Sequence, residues 1–121
     1  MIRLLTFILL TFTLTYAESN YEKGKNLYKE KGCGNCHGVR LEGMHRYPYL
    51  ANRAKGFLTY KLKRFRSRQA DNQQQEMMIP FAMGLSDQDI EALTTYMNEY
   101  VDESANESYD YSFSREGDGG S

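Results

Sequence analysis

The residues Cys33-Gly34-Asn35-Cys36-His37 constrain this chain more than any other part of its sequence. They contain the only two cysteines among 121 residues, and a histidine follows the second cysteine directly. Two thiols and an imidazole in one short turn are chemically reactive groups that a packed core does not require. The fold must therefore present these three side chains together.

Three chemistries use such a group, and the surrounding sequence favours one of them. A thioredoxin-like redox pair lies in a βαβ unit, but here a helix is predicted before the motif and no stretch is predicted as a strand. A zinc site needs four ligands, and the only set, Cys33, Cys36, His37 and His45, is crowded into 13 residues. A disulfide between the cysteines would close a very small loop and stabilise little. C-x-x-C-H is the attachment motif for c-type haem, so we expect Cys33 and Cys36 to bind one haem covalently and His37 to ligate its iron.

Residues 1–17 are predicted to be a signal peptide. Arg3 precedes an apolar run of about 13 residues, from Leu4 to Tyr16, which has the length of a signal-peptide core. A membrane span needs roughly 20 residues, so an uncleaved anchor is the less favoured alternative. Cleavage after Ala17 would export the mature chain to the periplasm, beginning at Glu18.

The helical period of apolar residues predicts an all-α haem domain over residues 18–101, with three main helices. They are expected at Tyr21–Lys31, Phe57–Phe65 and about Asp87–Val101, the last begun by Ser86 with an acid three residues later. The segment DNQQQE at 71–76 is predicted to be a polar loop, and the apolar segment at 77–81 to be a loop containing proline. The residues expected to face inward are Gly24, Leu27, Tyr28, Phe57, Leu58, Leu62, Phe65, Ile90, Leu93, Tyr96, Met97 and Val101.

Charge is balanced overall but segregated along the chain. With 15 bases and 16 acids, the net charge of −1 gives no reason to expect a nucleic-acid partner. The segment from Arg46 to Arg68 carries eight bases and no acid, whereas residues 102–121, predicted to be a disordered tail, carry six acids and one base. The basic segment is a solvated outer face, a docking surface for an acidic redox partner, or a face that the tail covers. The sequence leaves these three alternatives open.

The residues alone do not identify the second axial ligand of the iron. A methionine thioether would give a high reduction potential suited to electron transfer, and Met77, Met78, Met83 and Met97 all lie well beyond His37.

From Tyr21 to Val101 the chain resembles a class I cytochrome c, most closely one half of the dihaem cytochrome c4 group and small related monohaem bacterial carriers. The matching stretches are GKNLYKEKGCGNCHG, YPYLANR, FLTYKLKRFRSR and MMIPFAMGLSDQDIEALTTYM. The resemblance implies the class I cytochrome c fold and points to Met78 as the distal ligand, with Met77 or Met83 as alternatives. It also implies that the carbonyl of Pro48 accepts a hydrogen bond from the ring of His37.

The resemblance implies a one-electron carrier between respiratory or oxidoreductase partners, not an enzyme. The alternative is a haem subunit of a periplasmic oxidoreductase, such as a sulfide-oxidising flavocytochrome c, in which the catalytic chemistry belongs to the other chain. A ligand sensor with a labile methionine is a third class. In each case the chain would meet a membrane only through partner complexes.

Overall fold

The computed structural model describes residues 17–105, and the described part is helical with no named strand. Its helices are α1 (Asn20–Glu30), α2 (Gly34–His37), α3 (Lys55–Arg66), α4 (Gln73–Glu76), α5 (Ile79–Met83) and α6 (Asp87–Asn98). The all-α prediction is confirmed, because α1, α3 and α6 correspond to the three predicted main helices. Within residues 17–105, no helix is long and apolar enough to cross a membrane.

Helices α1 and α6 pack closely because α1 has a glycine at the crossing. A Cβ atom built on Gly24 would overlap the backbone of Ala92 and lie 2.7 Å from the Cβ atom of Tyr96. Tyr96 in turn contacts two rings of α1 edge to face, Tyr21 with ring centroids 5.1 Å apart and Tyr28 at 5.7 Å. The missing side chain therefore allows the approach, and the aromatic rings fill the space around it.

Helix α6 begins as the sequence predicts but ends earlier. Ser86 and Asp89 form a reciprocal capping box, each side chain accepting a hydrogen bond from the other's backbone N–H. At the other end, the side-chain amide of Asn52 donates to the carbonyls of Asn98 and Tyr100. Asn52 thus supplies hydrogen bonds to carbonyl groups at the end of the helix that have no partner within it. Because the helix does not reach Val101, this residue is 59% exposed, and its predicted inward position is wrong.

Helix α3 buries one face and exposes its bases. Leu58, Leu62 and Phe65 are buried in the core, as predicted. Phe57 is 41% exposed instead, and the guanidinium of Arg53 lies 4.6 Å from its ring centroid. The cation therefore covers part of an aromatic ring that the sequence placed on the buried face.

The two predicted loops before α6 are largely short helices. Asn72 caps α4 by accepting a hydrogen bond from the N–H of Gln75 at 2.8 Å, so most of the polar segment is a helical turn. Pro80 lies in the first turn of α5, where its missing N–H breaks no helical hydrogen bond. A proline in an apolar stretch thus marks the start of a helix here.

The chain ends outside the helical domain are described only in part. Residues 1–16 of the predicted signal peptide and residues 106–121 of the predicted tail lie outside the described residues. The first residues of that tail are described, and they begin a helical turn at 103–105. Asp102 starts the turn by accepting hydrogen bonds from the N–H and the hydroxyl of Ser104.

Candidate haem-attachment site

A cavity of about 450 Å³ lies in the middle of the helical domain, and the motif lines one side of it. Cys33, Cys36 and His37 all face this space. The volume falls in the range of cofactor pockets, about 300–1,000 Å³. Apolar side chains of α3 and α6, together with Leu85 just before the cap of α6, form much of the wall: Leu58, Leu62, Phe65, Leu85, Leu93 and Met97.

The short helix α2 brings the two thiols and the imidazole to one side. Gly32 takes a left-handed conformation with φ of 69°, which lets the chain leave α1 and turn directly into α2. The N–H groups of Cys36 and His37 then both donate to the carbonyl of Cys33, at 3.3 and 3.0 Å. Both thiols are free and half-buried, and burial raises the pKa of the Cys33 thiol.

A carbonyl group fixes the ring of His37. The Nδ1–H of this buried histidine donates to the carbonyl oxygen of Pro48 at 2.7 Å. That bond leaves Nε2 as the ring nitrogen available to a metal in the cavity, and such a partner raises the basicity of the ligating nitrogen. The structure therefore brings together the two residues that the family resemblance paired.

The loop that carries Pro48 is held in place by its own backbone. The carbonyl of His37 accepts from the N–H of Gly43 at 2.8 Å, and the carbonyl of Leu41 accepts from the N–H of Leu50 at 2.9 Å. The Leu41 side chain is fully buried and anchors the loop in the core. On the other side, the hydroxyl of Tyr28 donates to the carbonyl of Gly38 at 2.6 Å and ties the loop to α1.

Three methionines line the same cavity, and they differ in exposure. Met78 is half-buried and packs against the core, whereas Met77 is 53% exposed. Met97 is buried within α6. Met83 does not line the cavity, and it is exposed. Of the candidates from the sequence, Met77, Met78 and Met97 are thus brought near the motif and Met83 is not.

The alternative metal-site and disulfide hypotheses gain no support from the described residues. In that part of the chain no group of three or more His, Cys, Asp or Glu side chains is placed to hold a metal ion. His45 lines a neighbouring open groove with Arg46 and Met77 rather than the cavity of the motif. The two cysteines are unpaired.

The mouth of the cavity is positively charged. Lys31, Arg46, Arg53 and Lys61 line it, and no acidic side chain among residues 17–105 does. Sequence reasoning placed three of these in the basic segment but missed Lys31, which lies two residues before Cys33. We refer to these four residues as the cationic rim.

Several bases of the predicted docking segment form ion pairs with acidic residues of the same chain. Helix α3 forms ion pairs from Lys55 to Glu91, from Arg64 to Asp71 and from Arg66 to Asp87. Lys61 also approaches Asp71, at 3.5 Å. Half of the bases of this segment are therefore paired on an outer face. Among the bases that line the cavity, Lys31, Arg46 and Arg53 form no ion pair with any of residues 17–105.

The donor set and the shape of this cavity fit a haem c group. Cys33 and Cys36 would hold it, His37 and a methionine would ligate its iron, and the apolar wall would surround the macrocycle.

Comparisons with known proteins agree with this fit. The family model described as cytochrome c matches residues 21–100, from the start of α1 to just beyond α6. Cytochrome c-554(547) of Halothiobacillus neapolitanus is 32% identical over 82 residues, which is 61% of this chain and 89% of that protein. Cytochrome c-554(548) of Halomonas halodenitrificans is 34% identical over 65 residues, which is 53% of this chain and 78% of that protein.

Proposed function

Because the chain belongs to the cytochrome c family, binds haem c covalently and is an electron carrier, we propose that it is a periplasmic one-electron carrier with defined ligands. Cys33 and Cys36 form the thioether bonds, His37 is the proximal ligand and Met78 the distal ligand. The observation that carries the assignment is the single cavity that two thiols, a buried imidazole and a half-buried thioether all line. Haem c supplies one iron that cycles between the ferrous and ferric states.

The protein's own residues keep that change of state fast and free of side reactions. The hydrogen bond from His37 to Pro48 would hold the imidazole in one orientation toward the iron. A thioether from Met78 would be the second protein ligand of the iron, which would leave no site for a substrate there. The buried side chains of α3 and α6 give the cavity an apolar wall that limits the access of water. Such a rigid site suits electron transfer because little has to move when the charge changes.

The optical spectrum of the mature protein, produced together with a haem-attachment system, tests this assignment. We expect a c-type spectrum in the reduced state and the weak long-wavelength iron–methionine band in the oxidised state. Haem that denaturing extraction does not remove would establish the covalent bonds. Covalent haem without the iron–methionine band would contradict the proposed distal ligand, and a protein without covalent haem would contradict the site as a whole.

Export is the part of the proposal that rests on residues 1–17. Cleavage after Ala17 would give a mature chain that begins at Glu18, directly before Ser19, the N-cap residue of α1. Mass spectrometry of the protein recovered from the periplasmic fraction would identify the first residue. A chain that retains residues 1–17 in the membrane fraction would favour the uncleaved anchor.

We place the partner's docking surface at the cationic rim rather than along the whole segment from Arg46 to Arg68. The paired bases of α3 already have acidic neighbours and contribute little net charge. At the rim, Lys31 and Arg46 form no ion pair with any of residues 17–105, and exposed apolar side chains of Phe57 and Phe81 line the same opening. An acidic partner surface would be steered there by charge and would approach the cofactor closely. Stable co-purification with a flavoprotein would instead favour the enzyme-subunit alternative.

Neutralising the rim should slow electron transfer to anions selectively. The substitutions Lys31→Gln and Arg46→Gln, made together, are expected to reduce the oxidation rate by anionic hexacyanoferrate(III) about two- to five-fold at low ionic strength. The rate with a cationic oxidant, tris(phenanthroline)cobalt(III), should not fall. Stopped-flow mixing with the reduced protein at several salt concentrations measures both rates.

The matched control removes a base that is already paired. Lys55→Gln breaks the ion pair from Lys55 of α3 to Glu91 of α6, and it changes the net charge without altering a residue that lines the cavity. If Lys55→Gln slowed the anionic oxidant as much as the double substitution, net charge rather than the rim would govern the encounter and the docking proposal would be wrong.

A further inference from the structure

We propose that Arg64 and Arg66 of α3 are positioning residues for the distal ligand, because they fix the two ends of the segment that carries Met78. We call residues 71–87 the ligand segment. The proposal rests on the proposed function in one respect, namely that Met78 ligates the iron. It assigns the basic face of α3 a positioning role, in addition to the solvated face and the docking surface that the sequence suggested.

At its first end the ligand segment is tied to α3 through Asp71. A guanidinium nitrogen of Arg64 lies 2.7 Å from a carboxylate oxygen of Asp71, and the ammonium of Lys61 lies 3.5 Å from the other. The same guanidinium also donates to the side-chain carbonyl of Gln69 at 3.4 Å. The chain is therefore held at the point where it turns back from α3 toward the cavity.

A short series of hydrogen bonds connects Asp71 to the backbone of Met78. The N–H of Asp71 donates to the side-chain carbonyl of Gln75 at 3.1 Å. The backbone N–H of Gln75 donates to the side chain of Asn72 at 2.8 Å. The backbone carbonyl of Gln75 accepts from the N–H of Met78 at 2.9 Å. A displacement of Asp71 would thus loosen α4 and with it the backbone amide of the ligand.

At its second end the segment is tied to α3 through Arg66. One guanidinium nitrogen lies 2.8 Å from a carboxylate oxygen of Asp87, and the other donates to the carbonyl of Leu85 at 3.2 Å. Arg66 also holds the pKa of the Asp87 carboxyl below its usual range, by hydrogen bonding and by its charge. The N–H of Leu85 donates to the carbonyl of Ala82 at 3.1 Å, and the N–H of Ala82 donates to the carbonyl of Met78 at 3.1 Å. Backbone hydrogen bonds therefore connect Leu85 to Met78.

The ligand segment needs such anchors because its own secondary structure is weak. Helices α4 and α5 have four and five residues, far below the roughly 12–15 residues at which isolated helices become even marginally stable in water. Helix α3, by contrast, is fixed to the core by Leu58, Leu62 and Phe65. Each exposed ion pair contributes little to global stability, but pairs at both ends of one weak segment determine how often that segment opens.

Opening of the ligand segment can be measured with imidazole, which binds the oxidised iron only after the methionine has left. We expect Arg64→Gln and Arg66→Gln each to raise the association constant of imidazole about two- to five-fold, and the double substitution about ten-fold, as the loss of surface ion pairs implies. The iron–methionine band should remain in the absence of imidazole. Salt should promote imidazole binding to the unsubstituted holoprotein more than to the double variant.

A control and a rescue separate positioning from general stability. Lys55→Gln removes an ion pair of the same helix to Glu91, outside the ligand segment, and should leave imidazole binding unchanged. Exchange of the charges in Arg64→Asp with Asp71→Arg should restore much of the original affinity. Equal effects of Lys55→Gln and Arg64→Gln, or no effect of either arginine substitution, would overturn the proposal.

The Met78→Ala holoprotein keeps this outcome distinct from a failure of the ligand assignment. If that variant retained the iron–methionine band, Met78 would not be the distal ligand, and both the assignment and the positioning proposal would fall. If it lost the band while both arginine substitutions left imidazole binding unchanged, the assignment would stand and the positioning proposal alone would be wrong.

Discussion

Replacing Met78 with alanine is expected to abolish the iron–methionine band of the oxidised protein and to lower its reduction potential. A thioether is a soft ligand that favours ferrous iron, and its loss leaves water or another oxygen donor, which favours ferric iron. We expect a fall on the order of 0.1–0.2 V, a fraction of the roughly 0.8 V over which axial ligands set haem potentials. Spectroelectrochemical titration of the holoprotein measures the band and the potential together.

The neighbouring methionines provide the controls for that experiment. Met77 lines the same cavity but is 53% exposed, so Met77→Ala should keep the band and most of the potential. Met97→Leu should destabilise the core slightly and keep the band as well, because Met97 packs within α6. Loss of the band in Met77→Ala, with its retention in Met78→Ala, would move the distal ligand by one residue.

The main helices were predictable because their signals are local. In α6 the Ser86 and Asp89 pair marks the start, and Ile90, Leu93, Tyr96 and Met97 recur at helical spacing and are buried. The turn that carries the two cysteines and His37 was predictable for the same reason, since the spacing of the motif itself brings the side chains together. Local sequence therefore determines most of what surrounds the cofactor.

The features that sequence reasoning missed depend on distant partners. Helix α6 ends at Asn98, where Asn52, far away in the chain, donates its backbone N–H to the carbonyl of Met97 and its side-chain amide to the carbonyls of Asn98 and Tyr100. Helix α4 lies in a polar, glutamine-rich stretch whose composition predicts a loop. The cap at Asn72 and the ion pair from Arg64 to Asp71 hold it as a helix instead. Composition alone cannot indicate either contact.

The charge pattern shows the same limit for the candidate site. The sequence places eight bases and no acid between positions 46 and 68, and so suggests one continuous docking face. In the fold, acids that follow the basic segment in the chain form ion pairs with bases of α3: Asp71 with Arg64, Asp87 with Arg66 and Glu91 with Lys55. Lys31, from a different helix, joins the rim of the cavity instead. The surface that a partner would meet is thus assembled from separate parts of the chain.

The substitution Gly24→Ala should have the largest effect on stability, because it places a methyl group where two helix backbones meet. The added Cβ atom would overlap the backbone of Ala92 and approach the Cβ atom of Tyr96 to 2.7 Å, and neither neighbour is a flexible side-chain end. Since overpacking of a core typically costs 1–3 kcal/mol or more, we expect the free energy of unfolding to fall by at least about 2 kcal/mol. For a domain of this size the melting temperature would fall by roughly 10 °C or more.

Gly56→Ala is the matched control for this crossing, since it makes the same chemical change in another helix. A Cβ atom at Gly56 in α3 would meet nothing within 4 Å, so alanine should leave the fold intact. Because Gly56 lies in the first turn of α3, the gain in stability from helix propensity should be less than the roughly 1 kcal/mol of a helix interior. Guanidinium unfolding of both holoproteins, followed by far-ultraviolet circular dichroism, compares the two. Equal stability of the two variants would mean that α1 and α6 do not cross closely at Gly24, and the packing that closes the domain behind the cofactor would have to be revised.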